Sequence, residues 1–285
     1  MLAIVGCILI ATMGAMAKAL GSTLPAVQIA FLRFLLAAPV VLLVAGRPAL
    51  RLAATHHLGL HMLRAALAGL ALVGAFYAYA KLPLAEAAAL LFVEPLAIVV
   101  LAACWFGRPL TPRKLCATAL GLIGVLVILQ PGWGMFTTAG AVALAAATMA
   151  AGCALVIRAI VQREGDGPLL LLGTLLTAAC LAIPAALSWV APTPTQWLGL
   201  VGLAAIGSLA QLMIMRAYRL APPELLAPFE YVQLPTAFLI GAVVFAEPLT
   251  GVVLLGTFCI VGASFLASWS RHRSIAPAMP ALDRP

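Results

Sequence analysis

Thirteen of the sixteen lysines and arginines in this 285-residue chain fall in every second gap between its hydrophobic runs. The intervening gaps are almost free of positive charge. Cytoplasmic loops of membrane proteins keep an excess of Lys and Arg, so the alternation constrains both where the chain resides and which way up it sits. It reads as a multi-pass protein of a bacterial inner (cell) membrane, with the lipid bilayer as its surroundings and both termini cytoplasmic.

Composition narrows the class further. Hydrophobic residues make up 65% of the chain and charged residues 8%, whereas a soluble domain carries about 25% charged residues. The net charge of +8 would suggest nucleic acid in a soluble protein. Here the basic residues are spread over short loops without interleaved aromatics, so no nucleic-acid partner is expected. Six cysteines lie within or at the edges of apolar runs, with no C-x-x-C pair and no metal-ligand spacing. They read as small hydrophobes between helices, not as a disulfide framework or a metal site.

A bilayer core takes about 20 apolar residues per helix. Ten runs meet or approach that length: 2–20, 26–45, 63–81, 84–106, 115–130, 138–157, 168–190, 196–215, 222–246 and 250–269. Pro and Gly punctuate the breaks, as at Arg108-Pro109, Gln130-Pro131-Gly132 and Pro192-Thr193-Pro194. In the first run, Ala15-Met16-Ala17 has the form of a signal-peptidase site. No basic segment precedes it and the internal repeat needs this helix, so the run is expected to remain as the first span. It begins at Leu2 with only Met1 ahead of it, which hints at a start codon further upstream.

The gaps after the even-numbered runs, with the tail, hold Arg47, Arg51, Arg64, Arg108, Arg113, Lys114, Arg158, Arg163, Arg216, Arg219, Arg271, Arg273 and Arg284. The other gaps hold at most Lys81, with Lys18 nearby. All five tryptophans, Trp105, Trp133, Trp189, Trp197 and Trp269, fall at run ends or in short loops, the interfacial level that indoles favour.

The two halves resemble each other. Gly107-Arg108-Pro109-Leu110-Thr111 aligns with Ala246-Glu247-Pro248-Leu249-Thr250 at an offset of 139, and Tyr79 to Glu86 roughly with Tyr218 to Glu224. Five spans per copy is an odd number, so the second copy enters from the opposite side. The expected fold is an all-α membrane protein of ten transmembrane helices in two inverted five-helix repeats, 1–130 and 138–270. A Pro-rich cytoplasmic tail, 271–285, is expected to be disordered.

An ionisable residue inside the membrane costs about 2.5–3.5 kcal/mol on insertion scales and is by default a functional candidate. Three lie well inside the runs: Arg33, Glu94 and Glu230. Arg33 is about seven residues, or about 11 Å, from the outer end of its run. That depth lets long side chains form a structural ion pair, Arg33 with Glu94. The other reading places Glu94 or Glu230 in a cavity, holding a cationic group or a coupling proton. Tyr77, Tyr79, Phe92, Gln211, Phe229, Tyr231 and Gln233 are further candidates to line that cavity, against the alternative of plain hydrogen bonding between helices. Pro95, Pro228 and Pro235 fall inside the fourth and ninth runs, where each removes a backbone hydrogen bond and is expected to kink its helix. The fourth and ninth runs are repeat partners, and both place a Pro beside a Glu.

Other signals are weaker. His57 and His61 have an i, i+4 spacing but lie in a cytoplasmic gap with no carboxylate or Cys nearby, so no metal site is expected. Ala117-x-x-x-Gly121 permits close helix approach, within the protomer or in a homodimer. No G-x-x-x-x-G-K-[ST] motif is present, so nucleotide hydrolysis by this chain is not expected.

Phe76-Tyr77-Ala78-Tyr79-Ala80-Lys81-Leu82-Pro83-Leu84-Ala85-Glu86-Ala87, leading to Glu94-Pro95 and Gly107-Arg108-Pro109-Leu110, resembles the EamA-type branch of the drug/metabolite transporter superfamily. Ala227-Pro228-Phe229-Glu230-Tyr231-Val232-Gln233-Leu234 and Phe245-Ala246-Glu247 repeat the pattern in the second half. Gln28-Ile29-Ala30-Phe31-Leu32-Arg33-Phe34 and the Gly121 to Ile128 segment also fit. One departure stands out: the acidic residue usual after the fourth helix is Arg108 here, whereas Glu247 is kept. The resemblance implies a secondary carrier of small metabolites without a cofactor. It also implies a cavity between helices 1, 3 and 4 and their counterparts 6, 8 and 9, reaching Tyr77, Tyr79, Glu94, Gln211, Glu230 and Tyr231. Substrates in the family are amino-acid-, nucleoside- or vitamin-like. An intramembrane enzyme would need a nucleophile–base set or metal ligands in the bilayer, and none is placed there. A non-transporting scaffold or subunit is the remaining alternative.

Overall fold

Hydroxyl side chains, proline and glycine decide where the helices of this protein begin and stop. A computed structural model describes residues 1–45, 57–106, 112–129, 137–164, 169–220 and 232–269. Among these the chain forms eleven helical segments and no strand: α1 (Leu2–Leu20), α2 (Ala26–Ala45), α3 (Leu58–Lys81), α4 (Leu84–Leu91), α5 (Glu94–Phe106), α6 (Pro112–Leu129), α7 (Thr138–Glu164), α8 (Leu169–Leu187), α9 (Pro194–Leu220), α10 (Gln233–Val244) and α11 (Gly251–Trp269). The N-terminus of α9 is a reciprocal cap. The Gln196 amide donates to Thr193 Oγ1 at 3.3 Å, and the Thr193 amide donates to Gln196 Oε1 at 2.8 Å. Pro194 follows at the first helical position, where its missing N–H is harmless. Thr137 caps α7 and Thr250 caps α11 in the simpler one-way form.

Five stretches are long and apolar enough to cross a membrane: Leu2–Leu20, Leu58–Lys81, Leu84–Ala102, Thr138–Ile157 and Pro194–Ile214. Five shorter apolar stretches lie at the positions of the other runs. Large side chains such as Ile183, Leu198, Val243 and Phe258 point outward and are more than 70% exposed, as expected of a surface solvated by lipid. The first two runs match their helices end to end. The third does not: α3 starts at Leu58, so Arg64 and His61 lie inside a helix and are buried. His61 was expected in a loop and Arg64 at the cytoplasmic edge of its run. The tail 271–285, Arg47, Arg51, Arg108 and the segment 221–231 lie outside the described residues.

The principal helix pairs join the first half to the second: α1 with α9, α3 with α7, α2 with α8, and α6 with α11. Small residues set their register. Along α1, Gly6 faces Ile214, Met13 faces Gly207, Met16 faces Gly202 and Leu20 faces Gly199, so α1 and α9 run antiparallel. In the same sense Gly74 meets Ala146 while Leu67 meets Gly152 across α3 and α7. The contacts exchange in pairs when the halves are exchanged: α1–α9 corresponds to α3–α7, and α2–α9 to α3–α8. Gln28, fully buried near the start of α2, ties that end to the segment after α8. Its amide donates to the Val190 carbonyl at 2.7 Å and its carbonyl accepts from the Val190 N–H at 2.9 Å.

The α6–α11 seam is tightest. A Cβ on Gly124 would lie 2.7 Å from the Gly256 carbonyl oxygen, and a Cβ on Gly256 would lie 2.7 Å from the Gly124 carbonyl oxygen. Ala117 and Ala263 form a second small-residue contact on the same seam, closed by Leu96 of α5. The Ala117-x-x-x-Gly121 motif is therefore used inside the protomer.

We expect Gly124→Ala and Gly256→Ala each to cost about 1–3 kcal/mol, because backbone and not a side-chain tip must move. Thermal unfolding in detergent should show a Tm lowered by several degrees, with Gly59→Ala, whose Cβ meets open space, unchanged. Gln28→Ala should also destabilise, by about 1–3 kcal/mol, since it strips two backbone groups of their partner.

Candidate functional site

Pro95 has no N–H to give the Leu91 carbonyl, and the structure answers with a break instead of the expected kink. The fourth run is two helices. α4 ends at Leu91, Phe92 and Val93 form a turn, and α5 restarts at Glu94. The turn is held by Phe92 N–H to the Ala88 carbonyl at 3.0 Å and Val93 N–H to the Leu90 carbonyl at 3.2 Å. Val93 then accepts from Leu96 at 2.9 Å and from Ala97 at 3.0 Å, opening the new helix. Irregular backbone at membrane depth is tolerated where protein or a cavity surrounds it. Glu94, partly buried, occupies the first turn of α5, where the helix dipole favours a carboxylate.

α7 packs against both α4 and α5. Its Cys153 lies within electrostatic reach of Glu94 and of Arg64, and the Cys153 thiol points at the Arg64 carbonyl oxygen, 3.7 Å away. The Arg64 guanidinium lies directly against Gly173 of α8, where a side chain would collide with it. Arg64, expected at the cytoplasmic surface, is thus a buried cation on the Glu94 side of the bundle.

Arg33 is on another side. Its Nη2 donates to Gln211 Oε1 at a long 3.5 Å, its guanidinium stacks 4.6 Å from the Phe34 ring centroid, and it packs against Gly207. The expected Arg33–Glu94 ion pair is not what the structure gives this guanidinium. A long side chain at the right depth still has to point into the right interface, and Arg33 points into the α1–α2–α9 contact.

The remaining polar candidates gather around α1. The Tyr79 ring lies flat against Gly14, where an added Cβ would be 2.9 Å from the ring. The Tyr79 hydroxyl lies within hydrogen-bonding reach of the Gln233 side chain at the start of α10. Tyr77 and Phe92 are partly buried against the same central core. Tyr79 and Gln233 are therefore brought together, and Gln211 joins Arg33. Glu230, Tyr231, Phe229 and Pro228 lie outside the described residues. Pro235 sits in the first turn of α10.

Sequence reasoning missed one constellation. Lys18, at the end of α1, pairs with Glu247 at 2.9 Å. Its Nζ also donates to the Leu82 carbonyl at 2.6 Å and the Tyr79 carbonyl at 3.4 Å. Glu247 Oε2 accepts from the Leu84 N–H, the first amide of α4, at 2.6 Å. Glu86, in the first turn of α4, lies within electrostatic reach of Glu247. The sequence marks Glu247 only as part of the repeat and Lys18 only as a charge near a quiet gap, and the fold brings them together.

Comparison with known proteins agrees with this architecture. The profile of the EamA-like transporter family matches residues 1–130. A riboflavin transporter of Brucella anthropi is 30% identical over 247 residues, 85% of this chain and 87% of the relative. A pseudopaline exporter of Pseudomonas aeruginosa is 25% identical, covering 81% of this chain and 82% of its own length. An S-adenosylmethionine uptake transporter of Rickettsia bellii is 24% identical, covering 92% and 90%. A solved crystal structure superposes with a TM-score of 0.63 at 21% identity, covering 95% of this chain and 98% of the other, which bears on the fold. A multi-pass helical bundle, the interrupted fourth span and this degree of identity over most of both chains lead to one conclusion: the chain belongs to the EamA-like transporter family.

Proposed function

We propose that this protein is a secondary carrier of small metabolites, working by alternating access between two inverted five-helix halves, with its site at the interrupted fourth span. The observation that carries the proposal is the break at Phe92–Val93, which puts the Glu94 carboxylate at the start of a half-helix in the middle of a run. Broken helices of this kind form substrate and ion sites in secondary transporters. The paired exchange of helix contacts between the halves supports the repeat. The charge alternation supports an inner-membrane location with both termini cytoplasmic. Glu94 and, in the second half, Glu230 are the groups proposed to bind a cationic substrate group or a coupling proton. Tyr77, Tyr79, Gln211, Tyr231 and Gln233 are proposed to line the path. Relatives named for riboflavin and S-adenosylmethionine support a substrate of the vitamin, nucleoside or amino-acid type, and the aromatic side chains suit a flat heterocycle.

The test is ligand-induced stabilisation of the purified protein by riboflavin, S-adenosylmethionine, nucleosides and amino acids. A ligand at a hundred times its Kd should stabilise the fold by about 2.7 kcal/mol. Glu94→Gln should abolish the shift and Tyr79→Phe should weaken it, both with melting of the free protein near that of the parent. Uptake into proteoliposomes should rise with an imposed proton gradient in the parent and lose that dependence in Glu94→Gln. A ligand shift and a proton dependence that both survive Glu94→Gln would remove this carboxylate from the site.

A further inference from the structure

The geometry points to the Lys18–Glu247 ion pair as a latch that closes the outer end of the carrier; this rests on the carrier reading above. Four helix ends meet at the pair. α1 brings Lys18, α3 ends in the Tyr79 and Leu82 carbonyls, α4 begins at the Leu84 amide, and the segment after α10 brings Glu247. The first three belong to the first half and the last to the second, so the contact spans the boundary between halves.

The latch is built and not incidental. The ammonium has three N–H donors and meets three acceptors: Glu247 Oε1 at 2.9 Å, the Leu82 carbonyl at 2.6 Å and the Tyr79 carbonyl at 3.4 Å. Both side chains are about 15% exposed, so water screens the pair less than it would a surface pair. Ala246 takes a left-handed φ of 52°, disfavoured for a non-glycine residue, to turn Glu247 back over the end of α10. The Glu247 N–H then closes on the Gly241 carbonyl at 3.1 Å. Gly241 leaves the room this needs, since a Cβ there would come within 2.9 Å of Glu247 Oε2. Separating α10 from α1, α3 and α4 at this end requires these bonds to break together.

The sequence does not repeat this pair at the aligned positions of the other half. At the offset of 139, Glu247 aligns with Arg108, and Lys18 aligns with Ile157, next to Arg158. The aligned positions therefore do not repeat the cation–anion combination. The pair holds these helix ends together, and opening at this end is the step it opposes.

The test uses right-side-out membrane vesicles carrying Ala17→Cys, a fully buried position next to Lys18, and a membrane-impermeant maleimide. Labelling is read peptide by peptide by mass spectrometry, with the native Cys153, buried between α3 and α7, as an internal reference for intact folding. Glu247→Gln and Lys18→Gln should each speed labelling at position 17 several-fold with Cys153 still protected. The double variant should be no faster than the faster single, as for two partners in one interaction. Labelling unchanged in both single variants, additive effects in the double, or a rise accompanied by Cys153 labelling would each overturn the latch. Labelling needs no substrate, so a failed transport assay alongside responsive labelling strikes the carrier reading and leaves the latch standing.

Discussion

Close approach of backbones across the boundary between the two halves is the contact on which this structure depends. In a bilayer the lipid tails are as apolar as leucine, so helices gain little from simply hiding from their solvent. What holds them is surface complementarity, and it improves as side chains shrink at the contact. Gly6, Gly199, Gly202 and Gly207 on the α1–α9 pair, Gly74 and Gly152 on α3–α7, and Gly124 with Gly256 on α6–α11 all serve this purpose. Each seam is antiparallel and each joins the first half to the second. The polar ties, such as Gln28 to Val190, then fix helix ends that small-residue seams alone would leave free to slide.

Much of this was legible in the sequence, for identifiable reasons. α1 and α2 could be bounded to the residue because Ser22-Thr23-Leu24-Pro25 interrupts the apolar pattern between them. Arg64 and His61 misled because a polar residue near the end of an apolar run looks like the end of the helix. α3 instead begins before them and buries both. The fourth span looked continuous because hydropathy from Leu84 to Phe106 is unbroken, and hydropathy is blind to a missing N–H. Glu94-Pro95 marked the right place but predicted too gentle a deformation.

The site itself was only half readable. Candidate residues could be chosen by chemistry, since polar and ionisable groups inside apolar runs are few. Their partners could not. Arg33 and Glu94 match in depth but face different interfaces, and helix rotation is set by neighbours that a linear pattern does not reveal. Tyr79 and Gln233 are 154 positions apart in sequence and meet only because α3 and α10 both flank α1. Lys18 and Glu247 belong to the same category: the repeat motif marked Glu247 but not its partner, which only a fold that carries four helix ends to one point supplies.

The glycine pair at the α6–α11 crossing also limits how this protein can change. At most packed contacts an enlarged side chain can be offset by a smaller one opposite. Here each glycine faces the carbonyl oxygen of the other, and neither has anything left to give up. A substitution at either position therefore has no size-compensating suppressor across the seam. Relief has to come from a shift of a whole helix, which would also disturb the Ala117–Ala263 contact further along the same line. The two halves of the chain are bound at this point by a shared intolerance, and neither can drift without the other.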